Sequence, residues 1–293
     1  MKTLTPSILA ALHALGIDAK ADIPPTADRP GFIHDRTYIL DALSTTDAGN
    51  PRKVLGKSLK TDKGRGRKVR TAILYMAPAG SAGIVLCPWA SAGCAASCLG
   101  HSSGRLRFTA QQRVLIAKAL WFHLFPGHFL QRLDAEIRQH TRRALKAGDV
   151  PAVRLNGSTD ILWERHVDMA AHPDVTFYDY TKAPIAARRP APNYHLTFSV
   201  SEKRGSMDDA RAYLAAGHGA AVVVQTTDGT TVEDAKRAAS ALIDAGTWHG
   251  FPTIDGDKDD ARFTDPPGVW VVLYAKGLKA PRDRTGFVQR VAA

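Results

Sequence analysis

No apolar run in this chain approaches the roughly 18 residues that a membrane-crossing helix needs, so no membrane partner is expected. The opening MKTLTPSILAALHALGI has one early lysine, but His13 and scattered small residues interrupt its apolar part, and no small-residue cleavage site follows. It reads as a short amphipathic helix from Thr5 to Leu15, not as a signal peptide. Cysteine is scarce as well. Three thiols in 293 residues, an odd number, cannot build a disulfide framework, and free thiolates belong in a reducing compartment, so a cytoplasmic location is expected.

Several common chemistries also lack their signatures. There is no GxSxG elbow and no Ser-His-Asp ordering, which leaves hydrolase chemistry without a positive signal. Gly56-Lys57-Ser58 is not a P-loop, because the glycine required five places earlier is Pro51. The acidic stretch IDGDKDDARFTD, Ile254 to Asp265, is not an EF-hand loop. Counted from Asp255, position six is Asp260 instead of glycine, and position twelve is Pro266 instead of glutamate. It reads as a polar loop, with Asp255, Asp257 and Arg262 as minor pocket candidates.

What is present in excess is positive charge. Lys and Arg number 39 against 28 Asp and Glu, a formal +11, which favours a polyanionic partner or an anionic substrate. Nine of the nineteen residues from Arg52 to Arg70 are basic, against the single acid Asp62. That run is either a solvated connector or a phosphate-binding arm, and through it nucleic acid enters as a candidate partner.

Residues 1–70 are expected to form a helix and a basic extension, and residues 71–293 an α/β domain. In the second part, short apolar runs recur at 71–76, 83–87, 152–155, 175–178, 194–200, 220–224 and 269–274. Helical patterns are expected over 108–124, 128–146, 163–171, 207–216 and 232–245. The alternation predicts an α/β fold with a mostly parallel sheet, either a partial (β/α) barrel or an open sheet. Polar residues cluster just after the strands: Asn156, Ser158 and Asp160, then Asp179 and Lys182, then Ser201 and Glu202, then Gln225. In parallel folds the carboxyl ends of the strands form one rim, where sites are built. Asp179 and Lys182 are the candidate acid, base or charge anchor there. His195 reads as a satisfied or half-buried histidine, and Trp163 and Trp89 as packing residues, Trp89 with a possible shielding role beside the cysteines.

All three cysteines fall within CPWASAGCAASC, Cys87 to Cys98. Pro88 keeps Cys87 extended. Ser91 is a reasonable N-cap, which sets Cys94 and Cys98 four residues apart on one face of a short helix. The thiol of Cys94 then lies in the first turn, where the helix dipole favours thiolate. Three readings follow. Cys87, Cys94 and Cys98 could hold an iron-sulfur cluster and leave one iron open to ligand. With His101 they could form a Cys3His zinc site of the structural kind. Or they could be small buried residues without a metal.

The order CPWASAGCAASC, then Gly104 and Arg105, RLNGSTD, FYDYTKAP and NYHLTFSVS, resembles the gene product 88 family of phages and prophages. The likeness runs over about residues 55–290. It implies a phage-type protein acting in a bacterial host cell. The family's barrel-like layout, with three cysteines near the first strand, looks like that of radical S-adenosylmethionine enzymes. This implies a 4Fe-4S cluster held by Cys87, Cys94 and Cys98, with S-adenosylmethionine as a further cofactor. By position, Asn156, Ser158 and Asp160 would bind the cofactor, while Asp179 and Lys182 would act on an unidentified substrate. The spacing here is C-x6-C-x3-C, whereas those enzymes usually carry C-x3-C-x2-C. The function expected is thus iron-sulfur binding with radical or redox chemistry. The alternative is a noncatalytic nucleic-acid-binding protein with a Cys3His zinc site.

Overall fold

A computed structural model describes residues 53–57, 68–102, 106 and 108–292, without the side chains of His101, Ser102, Thr109, Ala110, Arg113 and Leu124. The expected helix from Thr5 to Leu15 and most of the basic run from Arg52 to Arg70 lie outside the described residues.

Along the chain the elements are β1 (Leu55–Gly56), β2 (Val69–Leu74), α1 (Ala92–Ala96), α2 (Leu99–Ser102), α3 (Thr109–Leu124), α4 (Pro126–Lys146), β3 (Val150–Arg154), β4 (Thr176–Thr181) and β5 (Tyr194–Ser199). There follow α5 (Ser206–Ala215), β6 (Gly219–Thr226), α6 (Val232–Asp244), β7 (Thr247–Trp248), β8 (Phe251–Asp255), β9 (Trp270–Tyr274) and β10 (Gln289–Val291). The strands form one sheet in the order β1-β2-β3-β4-β5-β6-β9-β8-β7, with β10 also pairing β6. Every pair from β2 to β8 is parallel, and only β1 and β7, at the two edges, run antiparallel to their neighbours. The expected parallel α/β sheet is therefore present, and it is not closed into a barrel.

The sequence explains the layering. The runs Ala220 to Val224 and Trp270 to Leu273 are apolar on successive residues, as strands covered on both faces require. One face carries Val153, Leu155, Phe177, Leu196, Phe198, Val222, Val224, Trp270 and Val272 into the main core. Helices cover this face. In α4, Phe129, Leu133, Ile137 and Ala144 are buried along one stripe. In α6, Ala235, Ala238, Ala239 and Leu242 do the same, behind a capping box made by Thr231 and Asp234.

Three expected elements differ. Residues 83–87 form turns, not a strand, because their backbone bonds stay local: Gly83 N–H to Gly80 O at 2.9 Å and Leu86 N–H to Ala79 O at 3.1 Å. Gly83 has φ +81°, far from a strand. The helix expected over 163–171 is two separate 3-10 turns, Trp163–Arg165 and Met169–Ala171. Asp168, in extended geometry, breaks it and caps the second turn through the Ala171 N–H. Helix α4 begins at Pro126, two residues before the expected start at 128, because a proline in the first turn has no N–H that needs a partner. Strand β8 was concealed by Pro252 and by the acid-rich sequence after it.

Strand β1, inside the expected extension, is held by a buried carboxylate. Glu136 on α4 accepts the Val54 N–H at 3.0 Å and the Leu55 N–H at 2.8 Å, while the Lys118 ammonium donates to Val54 O at 2.7 Å. Among the described residues, no helix is long and apolar enough to cross a membrane.

Two predictions concern this latch. Glu136→Ala leaves two buried N–H groups unmet and should cost roughly 2 to 4 kcal/mol of stability, read from urea unfolding; an unchanged midpoint would show that β1 is not anchored there. Burial pushes the Lys118 ammonium down from 10.5 to about 8. Between those values the unfolded chain binds more protons than the folded one, so stability rises with pH across that window. Lys118→Met should remove that rise, as measured by thermal unfolding from pH 7.5 to 10.5.

Candidate functional site

At the carboxyl rim the sheet and the cysteine segment border a cavity of about 400 Å3 that is open to solvent on one side. Cys87, Cys94 and Cys98 all line it, together with Asn156, Ser158, Asp160 and Lys182. The cysteine segment and the polar strand ends named from sequence therefore share one space.

The loop after β3 is the scaffold. Asn156 organises it internally: its Oδ1 accepts from the Thr159 hydroxyl, the Ile161 N–H and the Trp163 indole N–H, and its Nδ2 donates to Ile161 O. The same loop grips the segment that carries the thiols. Gly157 N–H donates to Leu74 O at 3.0 Å, and Asp160 N–H to Leu86 O at 3.0 Å. The Ser158 hydroxyl donates to Met76 O at 2.6 Å and accepts the Met76 N–H at 3.2 Å. A Cβ on Gly157 would stand 2.6 Å from Leu74 O, so only glycine permits this approach.

Cys87 lies in a turn, not at the end of a strand. Its sulfur accepts the Ala79 N–H at 3.1 Å, and its thiol points to Ser158 O at 3.9 Å. Burial pushes this thiol well above its ordinary range, and Cys98, Asp160 and Cys94 are close enough to push the same way. Ser91 caps α1 as expected, its hydroxyl accepting the Cys94 N–H at 3.1 Å. Cys94 packs against the small cluster that contains Ala280 and Phe287. Helix α1 stops at Ala96, so Cys98 stands just beyond it, between α1 and α2. Among the described residues, no three Cys, His, Asp or Glu side chains gather closely enough to hold a single ion. The three thiols line the same cavity. The side chain of His101, fourth ligand of the zinc reading, lies outside the described residues.

Helix α1 is fixed from across the site by Glu202. Its carboxylate accepts the Ser91 hydroxyl at 2.5 Å and the Gly93 N–H at 2.6 Å. Gly93 is packed so tightly that a Cβ would meet Thr285 Oγ1 at 2.1 Å and Phe287 Cβ at 2.6 Å.

The remaining candidates divide. Asp160 accepts the Thr181 hydroxyl and the Lys182 N–H, both at 2.8 Å. Burial raises its carboxyl above the usual range against the pull of these bonds. Lys182 donates to the Ser199 hydroxyl at 2.7 Å. Asp179, by contrast, does not line the cavity. It is buried, accepting the Leu155 and Asn156 N–H groups and the Tyr194 hydroxyl, with Arg154 3.8 Å away. Alternation along β4 sends its side chain to the face opposite Tyr180, which does line the cavity. Burial brings its carboxyl up to about 7 against the pull of Arg154.

Asp255, Asp257 and Arg262 do not line the cavity either. Arg262 is buried in ion pairs with Asp259 and Asp265, and Asp257 pairs with Lys276. His195 is exposed on β5 near Phe263. Trp163 is a core residue, and Trp89 is half-buried outside the cavity lining. Sequence reasoning missed the far wall: Ser199, Val223, Leu273, Tyr274, Ala280 and Phe287. Strand periodicity could have supplied Val223 and Leu273, but nothing in the sequence around Ala280 and Phe287 announces the site.

Because Glu202 holds the first turn of α1, Glu202→Ala should leave the Ser91 hydroxyl and Gly93 N–H without their acceptor. We expect a stability loss of roughly 1 to 3 kcal/mol and faster labelling of Cys94 by a thiol reagent. Unchanged labelling would show that the carboxylate does not position this thiol.

Comparison with curated proteins and with solved structures finds no match. The model of one family, described as gene product 88, matches residues 44–291, which takes in the cysteine segment, the loop after β3 and the whole cavity wall. The chain belongs to the gene product 88 family.

Proposed function

We propose that the cavity binds an iron-sulfur cluster through Cys87, Cys94 and Cys98 and that the protein is a redox or radical enzyme acting on a small substrate. The single observation that carries this reading is that every cysteine of the chain lines one cavity at the carboxyl rim of a parallel sheet, beside Asp160 and Lys182. A lone ion needs a tight set of Cys, His, Asp or Glu side chains, and none is present among the described residues. A zinc ion draws its thiolates to about 2.3 Å from one centre, whereas a cluster takes each thiolate on a different iron and suits sulfurs spread around a space. Three thiolates on a four-iron cluster leave one iron for another ligand, and such a group supplies electron transfer when bound.

The chain's own residues have separable roles in this reading. Glu202 holds the helix that presents Cys94, and the loop from Asn156 to Asp160 holds the turn that presents Cys87. Asp160 and Lys182 face the substrate. Asp179 is a positioning residue, since its carboxylate fastens the first backbone N–H groups of the loop after β3. S-adenosylmethionine is the candidate ligand of the remaining iron, on the likeness to radical enzymes stated above, although the C-x6-C-x3-C spacing departs from theirs.

The second reading, a zinc-bearing nucleic-acid-binding protein, draws on the +11 charge and the basic run from Arg52 to Arg70. One preparation separates the two. Protein purified without oxygen should be brown and contain iron with acid-labile sulfide, and alanine at Cys87, Cys94 or Cys98 should abolish most of both. Colourless protein with stoichiometric zinc and salt-sensitive retention on DNA or RNA would sink the cluster proposal. For S-adenosylmethionine, the expected outcome is a change in the electron paramagnetic resonance spectrum of the reduced protein when it is added.

A further inference from the structure

Resting on the reading of the cavity as a substrate site, but not on the metal, we infer that it recognises a small organic anion. The ligand is a carboxylate or phosphate ester with an apolar body, and Lys182 binds its charge.

The two lysines that line the cavity are in different states. Lys276 is neutralised by Asp257 and stacks on Tyr274, 4.3 Å from the ring centroid. Lys182 has only neutral contacts for its ammonium: the Ser199 hydroxyl at 2.7 Å and the face of Phe287, 5.3 Å to the centroid. Among the described residues, no carboxylate stands within ion-pairing reach of it. Asp160 acts on it from farther away, and the Asp160 oxygens are occupied by the Thr181 hydroxyl and the backbone N–H of Lys182 itself. An ammonium has three donors, and one hydroxyl acceptor leaves it able to bind an anion. A half-buried cation with neutral neighbours in a concave site is a place where a ligand's negative charge gains more than it does in water.

The rest of the wall describes the remainder of the ligand. Tyr180, Val223, Leu273 and Phe287 present aromatic and aliphatic surface in the same cavity. Its volume of about 400 Å3 suits one small molecule. An anion seated on the Lys182 ammonium beside Ser199 would lay its apolar body across the ends of β6 and β9, with the thiols on the other wall.

The test is titration calorimetry with three probes of one shape: 1-naphthoate, 1-naphthyl phosphate and neutral 1-naphthalenemethanol, on metal-free and iron-reconstituted protein. At least one anion should bind about tenfold or more tightly than the alcohol, as a charge-assisted contact implies. The stronger of the two anions tells carboxylate from phosphate recognition. The preference should fall to about twofold or less in Lys182→Met and persist in Lys182→Arg, with folding of each checked by thermal unfolding. Equal binding of all three probes to the unaltered protein, no saturable binding of any, or an anion preference that survives in folded Lys182→Met overturns the inference. Failure of the cluster proposal would show separately, as absent iron and sulfide, and leaves the metal-free titration readable.

Discussion

The structure depends on the hydrogen bonds by which one short loop fastens another. The loop after β3 offers Gly157 N–H, the Ser158 hydroxyl and Asp160 N–H to Leu74, Met76 and Leu86. Those three acceptors run from the last residue of β2 into the irregular segment that precedes α1. This segment is a series of short turns closed by local bonds, and these ties fix where the turns sit against the sheet. The tie is in turn fixed from below, since Asp179 accepts the N–H groups of Leu155 and Asn156 where β3 ends. A buried carboxylate thus shapes a thiol-bearing wall that it does not touch.

The two faces of the sheet divide the work. The face under the helices is packed with Phe177, Phe198, Trp270 and their neighbours, and it supplies rigidity. The other face carries polar side chains in mutual contact: Arg154 donates to Asp260 at 2.8 Å, and the Tyr178 hydroxyl donates to the same carboxylate at 3.3 Å. The cavity lies above this polar layer, where the parallel strands end together. Such an arrangement confines mobile chemistry to loops while the strands beneath hold still.

Much of this was legible in the chain, and the reasons are specific. Short apolar runs such as 220–224 and 269–274 alternate with helical patterns, and that alternation predicted the parallel sheet. Ser91 three residues before Cys94 was enough to locate α1, because the cap is a local interaction. What failed were features decided by distant contacts. The run 83–87 is apolar enough for a strand, but the N–H groups of Gly83 and Leu86 bond back to Gly80 and Ala79, and the Leu86 carbonyl is taken by the distant Asp160 N–H. Asp179 occupies a strand-end position like that of Lys182, yet the pleat turns the two to different places. The wall formed by Ala280 and Phe287 has no local signature, since it is held by contacts distant in sequence such as the pairing of β10 with β6 and the bond from Gln225 to Pro281 O.

That last feature ties distant parts of the chain into one recess. The thiols stand at residues 87–98, whereas Ala280 and Phe287, which pack beside Cys94, come almost two hundred residues later. The cavity is open to solvent on one side, and its wall beside Cys94 is supplied by the segment that leads into β10. A truncation that removed this last segment would therefore strip one wall from the recess while leaving every thiol in the chain.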